Sequence, residues 1–172
     1  CFITHGHSDH GGGIEYFLKV NPSASVFVHE GAFKKHSSDS GSSLHDISLN
    51  PSLLSDGRIK LCKGDFFALP DVFVFDSVKN DYPQSSINAH LFEENEKDSF
   101  LHEMYIAVFE GKNSALLCGC AHRGVVNIIK RFIEIFGKVP NSVIGGFHVN
   151  TSKEIIMSDS EIKSLAYALK AF

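Results

Sequence analysis

The residues best equipped for chemistry crowd into one stretch, Thr4-His5-Gly6-His7-Ser8-Asp9-His10-Gly11-Gly12-Gly13. Imidazole nitrogen and carboxylate oxygen are the ligands that zinc, iron and manganese accept most readily. If the stretch leaves a strand in extended form, the period of two turns His5 and His7 to one side, where they can grip one ion. Asp9 and His10 follow on a tight loop and face a point suited to a second ion. The glycines let the backbone close around the cluster and open a helix whose free amides favour anionic charge. The competing reading is a His-rich surface loop. It would win for two isolated histidines, but not for H-x-H-x-D-H set between Phe2-Ile3 and a glycine run.

Two more histidines sit in comparable places. Gly119-Cys120-Ala121-His122-Arg123-Gly124 links an apolar run to a helix pattern, and Val143-Ile144-Gly145-Gly146-Phe147-His148 reads as a short strand ending in histidine. Strand ends are where open α/β sheets gather their ligands. The candidate metal ligands are therefore His5, His7, Asp9, His10, His122 and His148. His102, beside Glu103, suits a place next to substrate, a place behind a metal ligand, or an exposed pair. His29, His36, His45 and His90 carry no spacing signal and read as structural or solvated. On this reading His7→Ala abolishes metal retention, whereas His36→Ala leaves it untouched.

The elements that must position these groups follow from periodicity. Ile14, Phe17 and Leu18 predict a short helix over residues 14–20, stopped by Asn21-Pro22. Strands are predicted at 25–29, 59–62 and 72–75, with Pro70-Asp71 as punctuation between the last two. A hairpin is predicted from 104–109 and 114–119 about the Glu110-Gly111-Lys112-Asn113 turn. Val125, Ile128, Ile129, Phe132, Ile133 and Phe136 keep helical spacing, and Gly137 caps the end. Ser158-Asp159-Ser160-Glu161 fits a capping box before a last helix whose apolar face is Ile162, Leu165, Ala166 and Leu169. The polar run from Lys35 to Arg58 predicts a surface excursion, either a flap over the site or a solvated insertion. Residues 79–99 predict mostly loop.

Length and composition allow one domain over residues 1–172. The 172 residues are 43% hydrophobic and 21% charged, with a formal charge of −4. That balance disfavours bulk attraction to nucleic acid, so an anionic small-molecule substrate must be held locally. No apolar run reaches the length of a membrane span, and no signal peptide is visible. Cys1, Cys62, Cys118 and Cys120 match neither a zinc knuckle nor a disulfide framework, which predicts reduced thiols and a cytoplasmic protein. At least one thiol of Cys118-Gly119-Cys120 is expected in the core. The chain opens at Cys1, directly on the metal motif, and reads as an internal piece of a longer protein.

H-x-H-x-D-H followed by glycine resembles the signature of the metallo-β-lactamase superfamily. Gly119-Cys120-Ala121-His122, Gly145-Gly146-Phe147-His148 and Asp98-Ser99-Phe100-Leu101-His102-Glu103 narrow the likeness. They resemble a subgroup of metal-dependent hydrolases of β-lactamase superfamily II that includes dihydropterin ribofuranosyl-aminobenzene phosphate synthase-like proteins. The resemblance implies an α/β fold, a metallo-β-lactamase-like αββα sandwich incomplete here at both ends. It also implies that His5, His7, Asp9, His10 and His122 match metal-site positions and that His148 lies in the site. One departure stands out. The family's metal-bridging aspartate has no counterpart at Gly119-Cys120, which leaves the count at one or two divalent ions.

The chemistry expected is hydrolysis by water that zinc, or alternatively manganese or iron, activates. Asp9 would orient or deprotonate the water, and His122 would help stabilise the oxyanion. Phosphoester, thioester and lactone-like substrates all suit such a centre. One rival keeps the metal but uses a pterin diphosphate in a carbon–nitrogen bond-forming synthase. Another is a catalytically inert, truncated metal-binding module.

Overall fold

The computed structural model describes residues 1–150 and 157–172. They divide into two compact units, Cys1–Gly64 with His90–Met104, and Asp65–Ala89 with Tyr105–Phe172.

In the first unit β1 (Phe2–Ile3), β2 (Val26–His29) and β5 (Ile59–Cys62) form a parallel sheet in the order β1-β2-β5. Parallel strands need a crossover, and α1 (Ser8–Gly11) with α2 (Ile14–Val20) supplies the one between β1 and β2. As the spacing predicts, α2 buries Ile14 and Leu18 against Ile3, Val26 and Val28. Its end is closed by Asn21, whose Nδ2 donates to the Phe17 carbonyl at 2.9 Å.

The 35–58 stretch corrects the expectation of a surface excursion. It holds β3 (His36–Asp39), β4 (Leu44–Asp46) and a 3-10 turn at Pro51–Ser55. β3 pairs on one side with β4 and on the other with β8 (Leu91–Glu93), which also pairs with β9 (Glu96–Lys97). Its sequence, His-Ser-Ser-Asp, has little strand propensity. Ladders on both edges satisfy its backbone regardless, an override that residue preference does not show. Leu49 and Leu53 bury in the same core as β2. For the same reason residues 79–99 are less loop-like than expected: β8, β9 and a 3-10 turn at Ser86–His90 lie there.

The second unit is built on a sheet ordered β12-β11-β10-β7-β6. Its strands are β6 (Phe66–Leu69), β7 (Val72–Phe75), β10 (Tyr105–Glu110), β11 (Asn113–Leu117) and β12 (Ser142–Ile144). The β10–β11 hairpin forms about the expected turn, with Glu110 opposite Asn113. β6 is an addition: the Pro70-Asp71 punctuation turns the chain from β6 into β7. α3 (Val125–Phe136) packs Val125, Ile128, Ile129 and Phe132 with Phe75, Tyr105, Leu116 and Cys118. Each of its larger side chains contributes ~1.5–3 kcal/mol on burial. Gly137 ends the helix at φ 67°. α4 (Asp159–Leu169) begins with the expected capping box of Ser158 and Glu161. Leu165 and Leu169 pack against the core as partly buried residues, and α4 buries none of its residues fully. No helix among the described residues is long and apolar enough to cross a membrane.

Candidate metal centre

β1 is short, so His5 and His7 lie just beyond it, in the turn that leads into α1. Backbone placement there is tight. A Cβ on Gly6 would stand 2.5 Å from the Ala32 carbonyl oxygen and 2.7 Å from His36 Nε2, so only glycine fits between the two histidines. Donor atoms of His5, His7 and Asp9 lie within 4.8 Å of one another. The His5 and His10 ring centroids are 4.3 Å apart, and His10 Nε2 is 3.7 Å from Asp9 Oδ2. The first motif thus comes together in space, Asp9 with His5 and His7 and not apart from them, with His5 and His7 buried and Asp9 and His10 exposed.

His5 Nδ1 lies 3.0 Å from Thr4 Oγ1. Burial, then the neighbouring His7, His10 and His102 rings, hold the His5 pKa well below the usual imidazole value. A ring kept neutral retains the lone pair that a cation needs. The donor set therefore fits a divalent metal: imidazoles and an exposed carboxylate converge within ligand reach.

Behind His7 lies a group that spacing did not reveal. Asp98 is buried among His7, His36 and His102, with Oδ2 at 3.4 Å from His7 Nε2, 3.1 Å from His36 Nδ1 and 3.2 Å from His102 Nε2. The Phe100 N–H donates to Oδ1 at 2.7 Å. Burial pushes the Asp98 pKa up, but hydrogen bonds from His102, His36 and His7 outweigh it and hold the carboxyl well below the usual range. His36 is fully buried, which agrees with the structural one of its two readings and not the solvated one. His102 is buried as well, so an exposed pair with Glu103 is ruled out. Asp98 and His102 stand four apart in the sequence, a signal that could have linked them. His36 offers none, because only the β3–β8 pairing brings it near. His29, also buried, serves a local turn: its Nδ1 accepts from Gly31 N–H at 3.0 Å. His45 is exposed and lies 3.0 Å from Ser40 Oγ.

The second unit holds His122 and His148, whose ring centroids are 4.2 Å apart. Asn88 grips His122 twice. Its Nδ2 donates to the His122 carbonyl at 2.8 Å, which fixes the amide orientation, so Oδ1 accepts from Nδ1–H at 3.0 Å. With its proton on Nδ1, the neutral ring carries its lone pair on Nε2. His148 is not at a strand end as expected, since β12 stops at Ile144. Past Ile144 the backbone runs so close to Cys118 that a Cβ at 145 would stand 2.1 Å from its carbonyl oxygen. His148 sits at φ 49°, with its carbonyl accepting from Ser85 Oγ at 2.6 Å. Cys118 is buried in the core, as anticipated. The unit also holds a cleft of about 780 Å³, lined by Tyr82, Val126, Phe147, Leu165 and Tyr167, with Ser85, Glu161 and Lys163 among its polar members.

No protein-family model matches the chain. Its fold is nevertheless the metallo-β-lactamase fold. It superposes with a TM-score of 0.78 on a crystal structure described as a metal-dependent hydrolase of the β-lactamase superfamily, at 23% identity, covering 99% of this chain and 63% of that one. The chain is also similar to the 7,8-dihydropterin-6-methyl-4-(β-D-ribofuranosyl)-aminobenzene-5′-phosphate synthase of Methanocaldococcus jannaschii. The two are 27% identical over 172 aligned positions, 91% of this chain and 58% of the synthase. This chain spans less than two thirds of either protein's length. Both findings bear out the likeness read from the sequence.

Proposed function

We propose that the protein is a metal-dependent hydrolase acting on ester-type small molecules, whether phosphoester, thioester or lactone-like. The observation that carries this reading is the convergence of His5, His7 and Asp9 donor atoms within 4.8 Å. A divalent ion, zinc by preference, supplies Lewis acidity and lowers the pKa of water to about 7 when bound. His5 and His7 hold the ion, with His10 beside them. Asp9, exposed next to them, orients the attacking water and accepts its proton. In the second unit, His122 offers the lone pair of Nε2 as a ligand, and His148 stands beside it. The largely apolar cleft suits a ring-bearing substrate.

The test is elemental analysis of the purified protein, followed by assay of the zinc-loaded chain on phosphoester, thioester and lactone panels. Bound zinc with turnover of one class is expected. Bound zinc with no turnover of any would overturn the hydrolase reading.

The likeness to the synthase favours a second reading, a carbon–nitrogen bond-forming enzyme that uses a pterin diphosphate. The same protein then consumes the diphosphate only when an amine acceptor is added, and release of pyrophosphate without acceptor counts against it. A metal-free, inactive chain would leave the inert-module reading.

A further inference from the structure

His7, His36, Asp98 and His102 bring four donor atoms within 4.8 Å of one another, enough to suggest a buried cation cage. Distance alone does not decide. A tetrahedral cation with bonds of about 2.0–2.1 Å would set its donors about 3.3 Å apart, and a hydrogen-bond network reaches similar separations.

The backbone decides it. The Gly6 N–H donates to His102 Nδ1 at 3.0 Å, so that nitrogen carries a lone pair. An imidazole whose nitrogen accepts a hydrogen bond is in its neutral form. A neutral ring with a lone pair on Nδ1 has its proton on Nε2. Nε2 faces Asp98 at 3.2 Å from both oxygens, so His102 donates to the carboxylate and has no electron pair to give a cation there.

The same logic extends around the carboxylate. An ionised carboxylate only accepts, so each nitrogen that faces it must carry a proton. For His36 that nitrogen is Nδ1, at 3.1 Å. For His7 it is Nε2, at 3.4 Å. A neutral His7 with its proton on Nε2 presents Nδ1 as its electron-pair donor.

We propose that Asp98 is a positioning residue for the metal centre: it fixes His7 as the Nε2–H tautomer and so makes Nδ1 the nitrogen that holds the ion. His102, His36 and the Phe100 N–H occupy the remaining acceptor positions of Asp98 and keep the carboxylate from rotating. A carboxylate behind a ligating imidazole both orients the ring and raises its basicity. The inference rests on His7 being a metal ligand, as the proposed function holds.

The test uses long-range proton–nitrogen correlation spectra of the ¹⁵N-histidine-labelled full chain, metal-free and zinc-loaded. The expected result is a protonated Nε2 on His7 in the metal-free protein and a zinc-induced shift at Nδ1. A proton on Nδ1, or a zinc-induced shift at Nε2, overturns the proposal. Asp98→Asn keeps the shape but offers a donor where only acceptors fit, and is expected to weaken zinc binding by about 10- to 100-fold in chelator competition. Unchanged affinity with an unchanged His7 tautomer also overturns it. If Asp98→Asn does not fold, the wild-type spectra decide alone. If the wild-type chain takes up no zinc, the proposed function fails, while the tautomer of the metal-free protein still judges Asp98.

Discussion

Asn88 holds His122 at both ends, its amide nitrogen on the backbone carbonyl at 2.8 Å and its amide oxygen 3.0 Å from ring Nδ1. One side chain thereby sets both the position of the turn and the tautomer of the ring. Asn88→Ala leaves a buried N–H without its acceptor and is expected to cost about 1–3 kcal/mol in denaturant unfolding. Asn88→Asp keeps an acceptor for Nδ1–H and should cost less. Equal losses from the two variants would show that the ring contact contributes nothing.

Stability of the metal-free protein should fall as the medium is acidified. His5 and His102 have folded-state pKa values below the ordinary imidazole value, chiefly through burial. Below a pH of about 6.5 the unfolded chain binds protons at these rings that the folded chain does not. Each ring then removes up to about 1.4 kcal/mol per pH unit until its folded pKa is reached. Asp98, held low, adds to the loss below a pH of about 3.9, where its unfolded counterpart takes up a proton. Chemical denaturation at stepped pH measures this, and a flat profile between pH 7 and 5 would contradict it.

Histidine substitutions separate ligand from support. His7→Ala should abolish metal retention, measured by elemental analysis after desalting. His36→Ala was expected from spacing alone to be silent. Its contact with Asp98 now predicts a partial loss, smaller than that of His7→Ala but measurable by chelator competition.

Gly6→Ala changes no ligand, yet its Cβ would meet the Ala32 carbonyl and His36 Nε2. The expected outcome is loss of metal retention with the second unit intact, read as unchanged amide protection in α3. Full metal binding by this variant would show that the turn relaxes freely.

At the other end of the chain, Glu161 is held down to about 2, first by the Ser158 hydroxyl and then by Ser86 and backbone N–H groups. Ser158→Ala removes the cap and should cost ~0.5–2 kcal/mol. Because α4 buries none of its residues fully, that loss should appear as faster hydrogen exchange in α4 alone.

Much of this architecture was legible along the chain. α2 and α3 follow from apolar spacing, the β10–β11 hairpin from two apolar runs about a glycine turn, and α4 from its capping box. The H-x-H-x-D-H cluster was legible too, because its members are close in sequence and a single turn gathers them. The polar strand β3 was not, since its ladder partners decide its conformation and its residues do not.

Sequence by itself therefore determined α2, α3, α4 and the β10–β11 hairpin, the first histidine cluster and the resemblance that names the fold. Tertiary structure alone decided what stands behind that cluster. Asp98 meets His36 across 62 positions and His7 across 91. Asn88 meets His122 across 34. Local periodicity reports which face of an element turns inward. It carries no information on which distant side chain waits there, because strand pairing and packing choose that neighbour.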